Sequence, residues 1–332
     1  MQAPDLQAPD LQAPDLPPPP RFAVVDVARG VALMAMFVFH FAYDLSYFRL
    51  IGIDVPLEPG WRLFARLIAG SFLTLVGVSL VLATRRGLDL RRYLKRLAMV
   101  AGAAVLVTVG TRIAMPANFI FFGILHHIAL ASMIALPFLR MPVAVVAACA
   151  AAVFALPSLV AADWLDAPWL VWLGFSRAPL HTADFVPVFP WFGCVLTGMT
   201  LARLALPRLS GTRLAHWRPS WLPTRIVAWG GRHSLLVYLL HQPVFIGLIM
   251  LAMQAGLSPP PEEGPFMASC QSSCSRPDLT AETCERFCSC TVDSLKRAAL
   301  WRKALTADLS PVEAERATGL ARACFAPQPP RP

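Results

Sequence analysis

The sequence predicts an all-α, polytopic membrane helix bundle of about seven spans, followed by a small helical domain stapled by disulfides. Three observations carry that reading. Of the 332 residues, 56% are hydrophobic and only 15% are charged, with a mean hydropathy of +0.56, which lies outside the range of soluble globular chains. The apolar residues are gathered into runs of about 20, the length a helix needs to cross a hydrocarbon core. Six of the eight cysteines follow the last of those runs.

Residues 1–20 repeat the unit QAPDL three times and end in four prolines, a composition that buries nothing and predicts a disordered cytoplasmic tail. With no basic start and no apolar core before Arg21, the stretch is not a signal peptide, so the first helix is expected to act as an uncleaved anchor. Seven segments are long enough to cross, at about 24–44, 61–84, 94–114, 119–139, 141–161, 187–206 and 229–253. They define a membrane domain over 21–254 and a cysteine-rich tail over 255–332.

Orientation follows from the basic loops. Between the second and third segments lies RRGLDLRRYLKR, with Arg85, Arg86, Arg91, Arg92, Lys95 and Arg96; the sixth and seventh are joined by a stretch holding Arg203, Arg208, Arg213, Arg218, Arg225 and Arg232. Four crossings separate the two loops, so they share a side, and the positive-inside rule makes it the cytoplasmic side of a cell inner membrane. The net charge of +9 thus reports topology and a lipid-bilayer partner, not nucleic acid. The loops 45–60 and 162–186 and the tail are expected outside, with Trp164, Trp169 and Trp172 as an aromatic belt.

In the tail, Cys270 and Cys274, and Cys284 and Cys288, are each four apart and share a helix face. Bridging Cys270 to Cys288 and Cys274 to Cys284 would staple a helical hairpin and leave Cys290 and Cys324 to close the rest, one of fifteen pairings. Zinc is the competing use of these thiols, and the outside placement favours disulfides, so no metal is expected. A domain of this size needs such staples because its core is small. Cys149 and Cys194 read as buried small hydrophobes.

The first span is the one on which function turns, because it carries Asp26, Arg29, His40 and Asp44 where apolar residues are expected. Ionisable groups at membrane depth are expensive and mark function. At about 100° per residue, His40 lies roughly 20° round the helix from Arg29, and Asp26 and Asp44 each roughly 60° from it, so the four form one stripe. Arg29 and His40 are separated by roughly 16 Å along the axis, which suits an elongated ligand with an anionic end and a reactive end. A structural Asp26–Arg29 ion pair is the plainer alternative.

Counting along the helices places His126, His127 and His241 at a depth comparable to His40. Adjacent His126 and His127 cannot face the same way, so one of them packs or caps. Ser234, Tyr238 and His241 make a polar stripe on the last span. On the inner side, Arg232 and His233 open that span near the depth of Arg29, and with Arg92, Lys95 and Arg96 they offer phosphate ligands. Asp184, Pro187, Pro190 and Trp191 introduce the sixth span and would shape an acceptor mouth.

The run VVDVARGVALMAMFVFHFAYDL, with its Arg followed eleven positions later by His, resembles the first helix of membrane-bound acyltransferases. It is most similar to bacterial proteins with a heparan-alpha-glucosaminide N-acetyltransferase catalytic domain, and more distantly to the type 3 acyltransferases of surface glycans. FFGILHHIALAS (121–132), DFVPVFPWFG (184–193) and WGGRHSLLVYLLHQPV (229–244) resemble later motifs of the bacterial group. The resemblance covers about 21–250 and implies transfer of an acetyl group from cytoplasmic acetyl-CoA, as co-substrate, to an amine or hydroxyl of an extracytoplasmic sugar. It implies that His40 is the catalytic histidine, Arg29 a CoA-side contact and Asp26 its orienting partner. The lysosomal relatives act on heparan sulfate, carry additional helices and have a Gln-Arg pair where His126 and His127 stand, so a bacterial envelope glycan is the acceptor expected here.

Read from the residues alone, His40 could take a proton from the acceptor or carry the acyl group itself, with Asp44 orienting the ring, and His126 and His241 at the same site. Two other classes fit buried Asp, Arg and His residues: a proton-coupled transporter, and a haem b protein with axial histidines. No internal repeat supports the transporter, and haem leaves the inner arginines unused. The oligomeric state is not legible.

Overall fold

A computed structural model describes residues 22–325 apart from 49, 52, 161–162, 177–179, 181, 210, 256, 258–262, 275–278 and 306–308; the expected N-terminal tail lies outside the described residues. In chain order the helices of the apolar part are α1 (Ala23–Tyr47), α2 (Pro59–Thr84), α3 (Leu90–Ala114), α4 (Ile124–Ile134), α5 (Val143–Leu159), α6 (Val188–Leu209), α7 (Arg213–His216), α8 (Leu222–Arg232) and α9 (Ser234–Gln254). The cysteine-rich part adds α10 (Glu263–Cys274), α11 (Ala281–Arg297), α12 (Trp301–Leu305) and α13 (Pro311–Ala323). Five helices, α1, α2, α3, α6 and α9, are long and apolar enough to cross a membrane, and α4 and α5 are shorter apolar helices.

Local chemistry sets the helix starts. Pro59 stands in the first turn of α2, where the N–H it lacks would have had no partner. The side chain of Asp89 caps α3 by accepting the N–H of Arg92 at 3.0 Å, relieving one orphan donor. Asp26 falls in the first turn of α1, at the positive end of the helix dipole.

The core forms where α6 packs between α2 and α5, burying Leu73, Val146, Val195, Leu196 and Met199. Lipid tails are as apolar as side chains, so helices in a bilayer associate through close packing at small residues. Gly77 and Gly198 supply it here: a Cβ on Gly77 would collide with the carbonyl of Val195, and one on Gly198 with that of Thr74. α1 packs on α2, α8 and α9. It crosses α8 where a Cβ on Gly231 would meet the Asp26 carbonyl and one on Gly30 the Val227 carbonyl.

Two of the seven expected segments are not single helices. In the segment 119–139 only Ile124–Ile134 is α-helical, roughly 16 Å long and shorter than a bilayer core. The backbone before it is extended and pairs with the chain leading into α6: Ala183 N–H donates to Asn118 O at 2.9 Å and Val186 N–H to Phe122 O at 3.1 Å. Those bonds satisfy the polar backbone that a helix would otherwise satisfy within itself. The segment 229–253 is split at His233, the junction of α8 and α9.

The cysteine-rich part has its own core of Val292, Leu295, Leu300 and Trp301, with Phe266 and Met267 packed on it. Its disulfides join Cys270 to Cys288, Cys274 to Cys284 and Cys290 to Cys324. This is the hairpin pairing the four-residue spacings suggested, α10 and α11 being held face to face. Ser310 caps α13 in a reciprocal box with Glu313. Trp164, Trp169 and Trp172 fall in or beside two short 3-10 turns, Asp163–Asp166 and Val171–Leu173.

Candidate active site

At one end of α1 the charged groups form a cluster around Asp26. Arg29 Nη1 donates to Asp26 Oδ1 at 3.3 Å, and the Nε of Arg232, from α8, lies 3.8 Å from Asp26 Oδ2. The other arm of Arg29 donates to Ser79 Oγ on α2, which in turn donates to the Leu75 carbonyl. Arg96, from α3, acts electrostatically on Arg29. Asp26 therefore faces two guanidiniums, with Arg96 acting on Arg29 alone, and the surplus positive charge suits an anion. Arg29 is the most enclosed member of its ion pairs on the cationic side, with its side chain 20% exposed against 51% for Arg232. Arg92 is exposed and paired with Asp89 at 3.1 Å, and Lys95 is exposed.

Toward the other end of α1, His40 meets His241 of α9 with ring centroids 4.8 Å apart at 65°. Phe37 stacks on the His241 ring at 5.8 Å, and Tyr238 and Phe245 flank it. His241 Nδ1–H donates to the Tyr238 carbonyl, since a carbonyl can only accept. Nε2 of the neutral ring is then the nitrogen with a lone pair, and it is buried with no partner among the described residues. One position on, Gln242 donates its side-chain amide to Asp44 Oδ1. Asp44 is thus engaged with α9; no hydrogen bond from it to the His40 ring is among those described.

His126 and His127 are placed elsewhere. His126 Nδ1 accepts the N–H of Gly123 at 3.2 Å, and Nε2 lies 3.1 Å from Thr108 Oγ1, whose own proton goes to the Ile120 carbonyl. Both ring nitrogens are committed, and His126 serves as the capping residue of α4. His127 is 1% exposed, its Nδ1 bonded to the Val186 carbonyl at 3.1 Å. Asp184 accepts the N–H of Ile124 at 2.9 Å, so it too caps α4. The motifs FFGILHH and DFVPVFPWFG are therefore two halves of one structural junction.

A cavity of about 500 Å³ lined by Val38, Ile53, Glu58, Gly60, Trp61 and Phe64 opens at the junction of α1 and α2. It does not contain the imidazoles. Phe39 stands between, its ring 6.2 Å from Trp61 and 5.5 Å from His40. Gln242 was not singled out by sequence reasoning; its only signal was its place beside His241 in LLHQPV. Ser79 was missed as well, a serine in an apolar span whose partner lies 50 residues away.

The family model described as heparan-alpha-glucosaminide N-acetyltransferase, catalytic, matches residues 21–243, a stretch that contains both the Asp26–Arg29 cluster and the His40–His241 pair. Searches of curated proteins and of solved structures returned no significant match. With its apolar helices, the match makes this a multi-pass membrane protein of an acetyltransferase family. The chain belongs to the heparan-alpha-glucosaminide N-acetyltransferase catalytic-domain family.

Proposed function

We propose that the protein moves an acetyl group from cytoplasmic acetyl-CoA to an amine or hydroxyl of an extracytoplasmic, envelope-borne sugar. The observation that carries this reading is the pairing of two imidazoles from α1 and α9, roughly 16 Å along α1 from the guanidinium cluster. Acetyl-CoA is anionic at its nucleotide end and electrophilic at its thioester, the same polarity as that helix. Arg29, held by Asp26 and Ser79, with Arg232 on the same carboxylate and Arg96 acting on it from α3, would receive the phosphates on the side of the two basic loops, and the exposed Arg92 and Lys95 would add positive charge from that side. The positive-inside pattern supports placing that side in the cytoplasm and the cysteine-rich tail in the periplasm.

In the transfer step, an imidazole of the His40–His241 pair takes the proton from the acceptor N–H or O–H as the nitrogen or oxygen attacks the thioester carbonyl carbon. The C–S bond breaks, and the CoA thiolate leaves with the proton returned from the imidazolium. The aromatic wall of Phe37, Phe39, Tyr238 and Phe245 excludes water, which would otherwise compete for the acetyl group.

The test supplies labelled acetyl-CoA to inside-out vesicles and asks which envelope glycan acquires label. His40→Ala should lower transfer about a hundredfold or more, the size of a lost general base. Arg29→Ala should raise the acetyl-CoA concentration needed by roughly tenfold, as loss of a charge-assisted contact does. Wild-type transfer by His40→Ala would remove the proposal.

A further inference from the structure

The polar contact beside the imidazole pair joins Asp44 of α1 to Gln242 of α9 by one hydrogen bond, Gln242 Nε2–H to Asp44 Oδ1. Each of these planar groups has a second end. Asp44 Oδ2 and Gln242 Oε1 are both buried, and neither has a partner among the described residues. Asp44 is 2% exposed, and none of the described ion pairs includes it. Among the described residues, the titratable groups shown in this region are Tyr43, which Tyr47 and Asp54 also approach, together with His40 on α1 and His241 on α9; no lysine or arginine is among these. A carboxylate here would be a buried charge answered by a single bond from a neutral amide, at a cost of the kind that makes such groups neutralise. It would also leave two acceptor oxygens without a donor.

One proton answers both oxygens. We propose that Asp44 is a neutral carboxylic acid whose Oδ2–H donates to Gln242 Oε1, closing an acid–amide ring that clamps α1 to α9 beside His40 and His241. Asp44 is then a positioning residue: it sets the register of α9, and so the approach of the two rings. It also keeps a fixed negative charge away from them. A carboxylate next to the pair would favour the imidazolium form, which has no lone pair to accept a proton. The assignment does not depend on what the protein transfers.

Infrared spectra of the full chain in lipid at neutral pH, with carboxyl-labelled aspartate, test it. The wild type should show a protonated-carboxyl C=O band that shifts with the label and disappears in Asp44→Asn. In Gln242→Leu the band should persist at higher frequency, its acceptor having been removed. Asp44→Asn supplies an N–H toward Gln242 Oε1 and a carbonyl toward Nε2, so its thermal midpoint should stay near wild type while Asp44→Leu and Gln242→Leu both fall. Loss of a carboxylate band instead, or an Asp44→Asn midpoint as low as that of Asp44→Leu, overturns the proposal.

Discussion

The carbonyl of Tyr238 fixes the tautomer of His241, and the amide of Gly123 with the hydroxyl of Thr108 fixes that of His126. The same side chain therefore has opposite roles: one ring keeps a lone pair in reserve, and the other has both nitrogens committed to structure. Asp26, Arg29 and His40 were legible in the sequence because they lie on one helix, where spacing alone fixes which face a residue shares. Gln242, Ser79 and the split roles of the histidines were not, because each depends on a partner from a distant segment. In the tail, Glu313 illustrates a local and therefore predictable case. Its carboxyl is held down to about 2 by Lys303 at 2.6 Å and by the N–H and hydroxyl of Ser310. The folded value lies below the ordinary carboxylate value of about 4.3, so the contribution of this group is complete above that value and is lost as pH falls through about 2. Glu313→Gln should accordingly flatten the acid limb of the tail's stability between those two pH values, and an unchanged limb in pH-dependent unfolding would rule the linkage out.

At the scale of elements, α4 is the instructive case. A hydropathy window sees continuous apolarity from Phe119 to Leu139, yet Gly123 ends an extended stretch and Pro137 opens a 3-10 turn, leaving an 11-residue helix. What replaces the missing helical bonds is the segment before α6, paired 60 or more residues away in sequence, a non-local contact that no periodicity records. Asp184 is the keystone of that junction because its carboxylate takes the N–H of Ile124 at 2.9 Å. Asp184→Ala should lower stability by about 1 kcal/mol, the usual worth of a helix cap. Asp184→Asn should retain most of it. Thermal unfolding in detergent distinguishes the two substitutions, and an Asp184→Ala midpoint equal to wild type would mean the cap contributes nothing. The crossing of α1 with α8 at Gly30 and Gly231 works differently, since it brings Arg232 to Asp26 through the absence of side chains.

For the whole molecule, the two parts solve the stability problem by different means. The membrane part rests on interdigitated spans such as α2, α5 and α6, whereas the tail encloses a small core and closes it with three disulfides over separations of 18, 10 and 34 residues. By chain entropy each bridge restricts the unfolded tail by about 3 kcal/mol, comparable to all that a core of this size supplies by itself. Reduction should therefore unfold the tail cooperatively while the helices of the membrane part keep their signal. The same chemistry tests the topology, because the proposed orientation puts the basic loops and the disulfides on opposite sides of the bilayer. In intact cells stripped of any outer barrier, a membrane-impermeant maleimide should label none of the six tail cysteines until a reductant is added, and all of them afterwards. Peptide mapping separates these from Cys149 and Cys194, which are the free thiols. Labelling of Cys270, Cys288 or Cys324 only after the membrane is permeabilised would place the tail in the cytoplasm and reverse the direction proposed for acetyl transfer.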